Sequence, residues 1–273
     1  MSWKHLIRQH VSLSTTERLI SLERWFRHEL FWHINPKKWA SQSHLRKFKN
    51  KHLGERCFII GNGPSLRHTN LSLLKNEITF GLNRIYLLFD ELGFDTTYFV
   101  TVNHLVIEQF ANEIVRAIPG PKFVDWNARN LFPSAKNMMY LRSFPLEPRF
   151  FNNIEHGVWQ GTTVTYVAMQ IAFYMGFREV ILVGVDHSFT SKGPAHQVVT
   201  TENTDPNHFN DQYFGKGIRW QLPDLDGSEL AYRLAKYQFE RHGRNILDAT
   251  VNGKLQVFDK ARLEDIIEGN HEN

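Results

Sequence analysis

From residue 54 onward, short runs rich in β-branched and aromatic residues alternate with longer stretches whose apolar positions recur every three to four residues. The runs RCFIIG, ITFGLN, TYFVTVN, KFVDW, NMMYL and REVILVGVD read as strands, followed by a late pair, RNILDAT and KLQVF. Stretches 104–118, 162–176 and 228–243 read as helices. In the second, Val164, Val167, Ala168, Ile171, Ala172 and Met175 share a face, Thr162 is placed to cap the start and Gly176 to end it. The third follows Asp-Leu-Asp-Gly, with Ser228 as its cap and Gly243 as its stop. Strands such as VILVGV are apolar at every position, as expected of strands covered on both faces. The alternation predicts an α/β fold: an open, mostly parallel, Rossmann-like sheet with helices on both faces.

Two regions break this rhythm. Residues 187–227 are polar, punctuated by Gly and Pro, and show no clear period. So long an irregular stretch inside a compact domain predicts a lid or binding loop, leaving the sheet after Asp186. Residues 1–53 are expected to form a basic, helical, aromatic arm, preceding a Rossmann-like domain over 54–273 that is expected to be catalytic.

Charge is unevenly divided. The chain carries a formal +4, yet residues 1–52 hold 11 Lys and Arg against three Glu, so the remainder is negative by about four charges. Interleaved with those cations are Trp3, Leu6, Ile7, Trp25, Phe26, Phe31, Trp32 and Trp39. Such an arm either packs on the body or on a second copy in a homo-oligomer, or lies, over residues 1–50, against an anionic membrane surface. A body with net negative charge argues against nucleic acid as partner. The apolar fraction of 42% and charged fraction of 22% are those of a globular protein. No apolar run approaches the ~20 residues of a membrane span, and no secretory signal is expected from the first residues. The one cysteine, Cys57, falls in a predicted strand and has no internal partner, which fits a reducing, cytoplasmic setting, peripheral at the inner membrane face if the arm binds there.

In open α/β sheets, ligands sit beyond the carboxyl ends of the strands. The first strand delivers Gly61, Asn62, Gly63 and Ser65, the second Asn83, the third Thr101 and Asn103, the fourth Asp125 and Asn127, and the VILVGVD strand Asp186 and His187. A glycine turn brings backbone close to a ligand and favours an anion at the following helix start. It is not a dinucleotide fingerprint, since Leu66 stands at the third glycine and Asn83 where an acidic residue would hold the ribose. Neutral amides at 62 and 83 suit a mononucleotide. The loop adds His196, Asp205, His208, Tyr213, Lys216 and Arg219. His208 is the candidate general base, ahead of His187, and Lys216 and Arg219 are candidates for neutralising a phosphate leaving group. Histidine spacings of 187–196–208 do not match a zinc signature. Asp224 and Asp226 form a D-x-D that reads as a helix cap.

FIIGNGPSL, TFGLNRIYL, GTTVTYVAMQIAFYMGFREVILVGVDHSF and DPNHF…YFGKG together resemble the MptE-like family, named after archaeal 6-hydroxymethylpterin diphosphokinases and including bacterial proteins of surface-polysaccharide loci. The same blocks resemble bacterial sialyltransferases of glycosyltransferase family 42. The likeness covers roughly 55–258. The transferase resemblance implies metal-free, inverting displacement from a CMP-linked sugar, a nucleotide-sugar donor and a glycan or lipid-linked acceptor. By position, Asn62 and Asn83 match residues that hold the nucleotide, Gly61, Gly63 and Ser65 the turn, Asp186 the strand-end aspartate, His208 the loop base and Tyr213 a phosphate-binding tyrosine. The kinase resemblance implies Mg-ATP held by carboxylates, with Asp186 available. A non-catalytic nucleotide-binding protein of the same fold is the third expectation.

Overall fold

The computed structural model describes residues 37–132, 136–144 and 148–269, with Trp32 and Asn35. The chain divides into two units, 1–43 and 44–273. Most of the basic arm lies outside the described residues; its described part includes helix α1, Lys37–Arg46.

Strands follow in chain order: β1 Arg56–Ile60, β2 Thr79–Leu82, β3 Tyr98–Thr101, β4 Lys122–Asp125, β5 Met138–Leu141, β6 Ser143–Phe144, β7 Val158–Trp159, β8 Glu179–Val183, β9 Val198–Thr200, β10 Arg219–Gln221, β11 Asn245–Asp248 and β12 Asp259–Lys260. The principal helices after α1 are α2 His104–Ala117, α3 Val164–Met175, α4 Leu225–Glu240 and α5 Leu263–Glu268. Eight strands form one sheet in the order β12-β11-β8-β1-β2-β3-β4-β5, and every neighbouring pair is parallel.

The continuous apolar runs have a direct cause. Successive residues of a strand face opposite sides, and both sides of this sheet are covered. Cys57 and Ile59 enter one core, with Phe80, Leu82 and Leu182 and residues of α3. Phe58 and Ile60 enter the other, with Phe99, Ile181 and Val183 and residues of α2. Helix α3 is buried from Thr165 through Met175 without a polar face, as in a helix surrounded by protein. Gly176, in the left-handed region at φ 94°, ends it as its sequence position predicts.

Several local expectations are corrected. Thr163, and not Thr162, caps α3: its side chain accepts from the Thr165 N–H, whereas Thr162 has φ 60°, unlike the extended backbone of a cap. Helix α4 begins three residues earlier than expected, because Asp224 accepts from the Gly227 N–H and leaves Ser228 inside the first turn. KLQVF is not a strand; its Leu255 and Phe258 are buried, and β12 comes after it. The irregular 187–227 segment contains a small antiparallel ribbon, β9 with β10.

The winding positions the site. From β1 the chain adds strands outward to β5, then returns through α3 to place β8 on the other side of β1. Between β1 and β8 the direction of winding reverses, and adjacent loops diverge to leave a crevice at their carboxyl ends.

Candidate active site

The floor of the crevice is the junction of β1 and β8. Gly61 N–H donates to Val183 O (2.7 Å) and Gly63 N–H to Gly184 O (2.9 Å). Ser65 donates twice to Asp186, from N–H to Oδ1 (3.1 Å) and from Oγ to Oδ2 (2.6 Å). Neither Gly61 nor Gly63 has positive φ; both are needed for closeness. A Cβ on Gly61 would stand 2.3 Å from Gly184 O, and one on Gly63 1.8 Å from Asp186 Oδ2. Burial raises the Asp186 carboxyl above the ordinary carboxylate range, and the Ser65 hydrogen bonds pull the other way. Asp186 thus ties the turn after β1 to the end of β8.

Amides line the next positions. Asn62 Oδ1 is buried with no hydrogen-bond partner among the described residues, an acceptor that a bound donor could satisfy. Asn83 takes the left-handed conformation (φ 49°), and its Oδ1 accepts from Thr101 Oγ at 3.0 Å. Asn103 Oδ1 caps α2 by accepting from the Leu105 and Val106 N–H groups. Asn127 N–H donates to Asp125 Oδ1, while Ser143 Oγ and Gln160 Nε2 donate to Asp125 Oδ2.

From the 187–227 segment comes His208. The buried Asp205 carboxylate faces its Nδ1 at 2.6 Å and also accepts from the Phe214 and Asn207 N–H groups. A carboxylate only accepts, so Nδ1 is the donor, and in the neutral ring this leaves the lone pair on Nε2, which has no partner among the described residues. The imidazole stacks on the Tyr213 ring, centroids 4.0 Å apart and 7° from parallel.

The other predicted residues scatter. Tyr213 is fully buried among the residues lining the cleft; its hydroxyl accepts from the Arg84 N–H, and burial raises its phenol. Lys216 is exposed, and Arg219 pairs with Glu108 (3.3 Å); neither lines the cleft. His187, at φ 54°, has Nε2 3.3 Å from Glu229, and His196 has Nε2 3.3 Å from Asp224.

The cleft encloses about 450 Å³, the size of a small-molecule site. Its walls include Gly61, Asn62, Gly63, Asn83, Asn103, Asp186, His187 and His208, together with the N-terminus of α3 at Thr162–Thr165. Among the described residues lining it there is no lysine or arginine. Positive φ at Asn83, Thr162, His187 and His196 places four strained non-glycine residues on one cleft, the β-branched Thr162 most unfavourably. Gln160 and the Thr162–Thr163 pair were missed as site residues; a Gly-Thr-Thr turn opening an apolar helix is the signal that points to them.

Magnesium with a nucleotide needs one or two carboxylates whose oxygens face the phosphates. Asp186, Asp125 and Asp224 each have both oxygens engaged by protein donors or, for Asp224, by Gly227 and His196. Among the described residues no group of three or more His, Cys, Asp or Glu is arranged to hold a metal.

A family model described as 6-hydroxymethylpterin diphosphokinase MptE-like matches residues 33–192, more than half of the chain. Among solved structures, the MAf glycosyltransferase from Magnetospirillum magneticum AMB-1 is similar at 14% identity and a TM-score of 0.49, over 82% of this chain and 38% of that one. This chain therefore spans well under half the length of that structure. The comparison with curated proteins gives no match.

Proposed function

The chain belongs to the 6-hydroxymethylpterin diphosphokinase MptE-like family, and from that premise we propose that it is a transferase that moves a sugar from a singly phosphorylated, CMP-type nucleotide donor to an acceptor hydroxyl. The observation that carries this reading is a carboxylate-oriented imidazole, His208 held by Asp205, facing a cleft whose described walls offer amides and no lysine or arginine. ATP brings about four negative charges, and such a site would hold it poorly without cations. A nucleoside monophosphate ester carries one, which the N-terminus of α3 suits.

In the proposed step the acceptor oxygen bonds to the anomeric carbon as the bond from that carbon to the phosphate oxygen breaks. The acceptor proton passes to His208 Nε2, and the electron pair leaves with the nucleotide monophosphate. Asp205 keeps the proton on Nδ1 beforehand and stabilises the imidazolium afterwards. Asn62 and Asn83 would hold the nucleotide, with Asn62 Oδ1 accepting from a ligand hydroxyl or amine. The acceptor would be a glycan or a lipid-linked glycan, and the basic arm would bring the enzyme to an anionic membrane surface.

The family description itself favours a second reading, diphosphoryl transfer from ATP with magnesium. A thermal-shift panel separates the two. CMP at about a hundred times its Kd should add about 2.7 kcal/mol, a rise in Tm of roughly 5–10 °C for a chain of this size, without metal. Stabilisation by ATP with magnesium and not by any pyrimidine nucleotide would overturn the transferase reading; stabilisation by no nucleotide would overturn both.

A further inference from the structure

Arg84 does not line the cleft, yet it is one of the most buried charged residues of the molecule, with a side chain 7% exposed. It follows Asn83 at the end of β2. Its guanidinium carbon lies over the Phe110 ring, 3.8 Å from the centroid. Nε donates to the Tyr86 hydroxyl (3.2 Å), Nη2 to Glu113 (3.4 Å), and Nη1 to the carbonyls of Gln212 (3.0 Å) and Tyr213. The Arg84 backbone N–H donates to the Tyr213 hydroxyl at 3.3 Å.

Tyr213 is therefore gripped at both ends by one residue, its carbonyl by the guanidinium and its hydroxyl by the main chain. The same tyrosine ring is the platform on which the His208 imidazole stacks. Asp205 fixes which nitrogen of that imidazole carries the proton; it does not by itself fix the tilt of the ring about the Nδ1 bond. A flat aromatic surface 4.0 Å away does. Arg67, from the turn after β1, also reaches this loop, donating to Phe209 O at 2.7 Å, but it is half exposed and its contacts with the His208–Phe209 stretch are to main-chain oxygens only.

We infer that Arg84 is a positioning residue which, acting through Tyr213, sets the orientation of the His208 imidazole; its bearing on turnover rests on the reading of His208 as the base. Lysine cannot replace it. An ammonium concentrates three donors at one point, cannot serve Tyr86, Glu113 and two loop carbonyls together, and has no plane to lay on Phe110.

The test is made on the full chain in two parts. In the first, histidine ring signals are recorded by 1H–13C NMR for wild type and Arg84→Lys, with His208 assigned by the signal lost in His208→Gln. Stacked under Tyr213, the His208 ring protons are shifted upfield; in Arg84→Lys they should move downfield, while the signals of histidines remote from the cleft stay in place. His208 signals unmoved in a folded Arg84→Lys protein would overturn the inference. Should Arg84→Lys fail to fold, Arg84→Gln, whose planar amide can still donate to one loop carbonyl, takes its place: displaced His208 signals support the inference, and signals identical to wild type overturn it. In the second part, donor turnover by Arg84→Lys should fall ten- to a hundredfold in kcat with the donor KM nearly unchanged, as expected when a reacting group is misplaced by about 1 Å. Displaced signals together with undiminished turnover by His208→Gln would sustain the positioning role and refute the base assignment alone.

Discussion

Replacing Gly63 with alanine should be among the most damaging single-methyl additions this protein can receive, and the reason is local. Gly63 sits at φ −71° and ψ 159°, backbone that alanine adopts without strain. The cost is therefore steric. The new Cβ would lie 1.8 Å from Asp186 Oδ2 and 2.4 Å from its Cγ, against an ordinary separation of about 3.5 Å. The carboxylate must swing away, and both hydrogen bonds from Ser65 are then lost. Each hydrogen bond to a charged group contributes about 1.5–3 kcal/mol, and residual crowding about 1–3. Hydration of the displaced carboxylate in the open cleft and the lower chain entropy of unfolded alanine offset part of this, leaving a loss of about 3–5 kcal/mol. Urea unfolding of four proteins measures it: wild type, Gly63→Ala, Asp186→Ala and the double variant. With the carboxylate gone, the main remaining obstacle is Gly184 O at 2.9 Å, so the alanine should cost about 2–3 kcal/mol less there than in wild type. Gly61→Ala is the control, because its obstacle is the Gly184 carbonyl oxygen at 2.3 Å and Asp186→Ala should not rescue it. Equal costs of Gly63→Ala in both backgrounds, or a cost below about 1 kcal/mol in wild type, would refute the account of Asp186 as the partner of this turn.

Two further outcomes follow from buried titratable groups. The raised Asp186 carboxyl means the folded chain holds that proton to higher pH than the unfolded chain; the stability it contributes is present at low pH and lost as pH rises through its folded pKa. Asp186→Asn, which can keep both contacts with Ser65, should therefore gain on wild type as pH is raised from about 4 toward neutrality; denaturation curves showing a flat or opposite trend would contradict this. Cys57 is fully buried and its thiol is pushed well above the ordinary range, so native protein at pH 8 should leave a disulfide reagent such as DTNB unreacted while denatured protein releases one equivalent per chain. Rapid labelling of the native chain would show that β1 is not sealed on both faces.

The order of the elements was legible in the sequence because burial on both faces writes itself as unbroken apolar runs: Phe58 and Ile60 serve one core, Cys57 and Ile59 the other. The strand-end positions of Gly61, Asn62, Asn83 and Asp186 were legible for a related reason, since polar residues that close such runs must emerge at the sheet's edge. Exact caps were not, because Thr162 or Thr163, and Asp224 or Ser228, differ only in backbone angles and in which N–H is within reach. Roles in the long segment were least legible of all. Nothing in DPNHF states that Asp205 meets His208 through a local turn, and nothing in YFGKGIRW states that Lys216 and Arg219 turn away from the cleft.

By itself, then, the chain determined its layered architecture and which residues end each strand, since hydrophobic periodicity is a property of neighbours in sequence. Only the tertiary structure decided that Gly63 must yield its side chain to Asp186 and that Arg84 holds Tyr213 at both ends. These are contacts across about 120 to 130 residues, fixed by where the sheet brings distant turns together, and short-range pattern carries no trace of them.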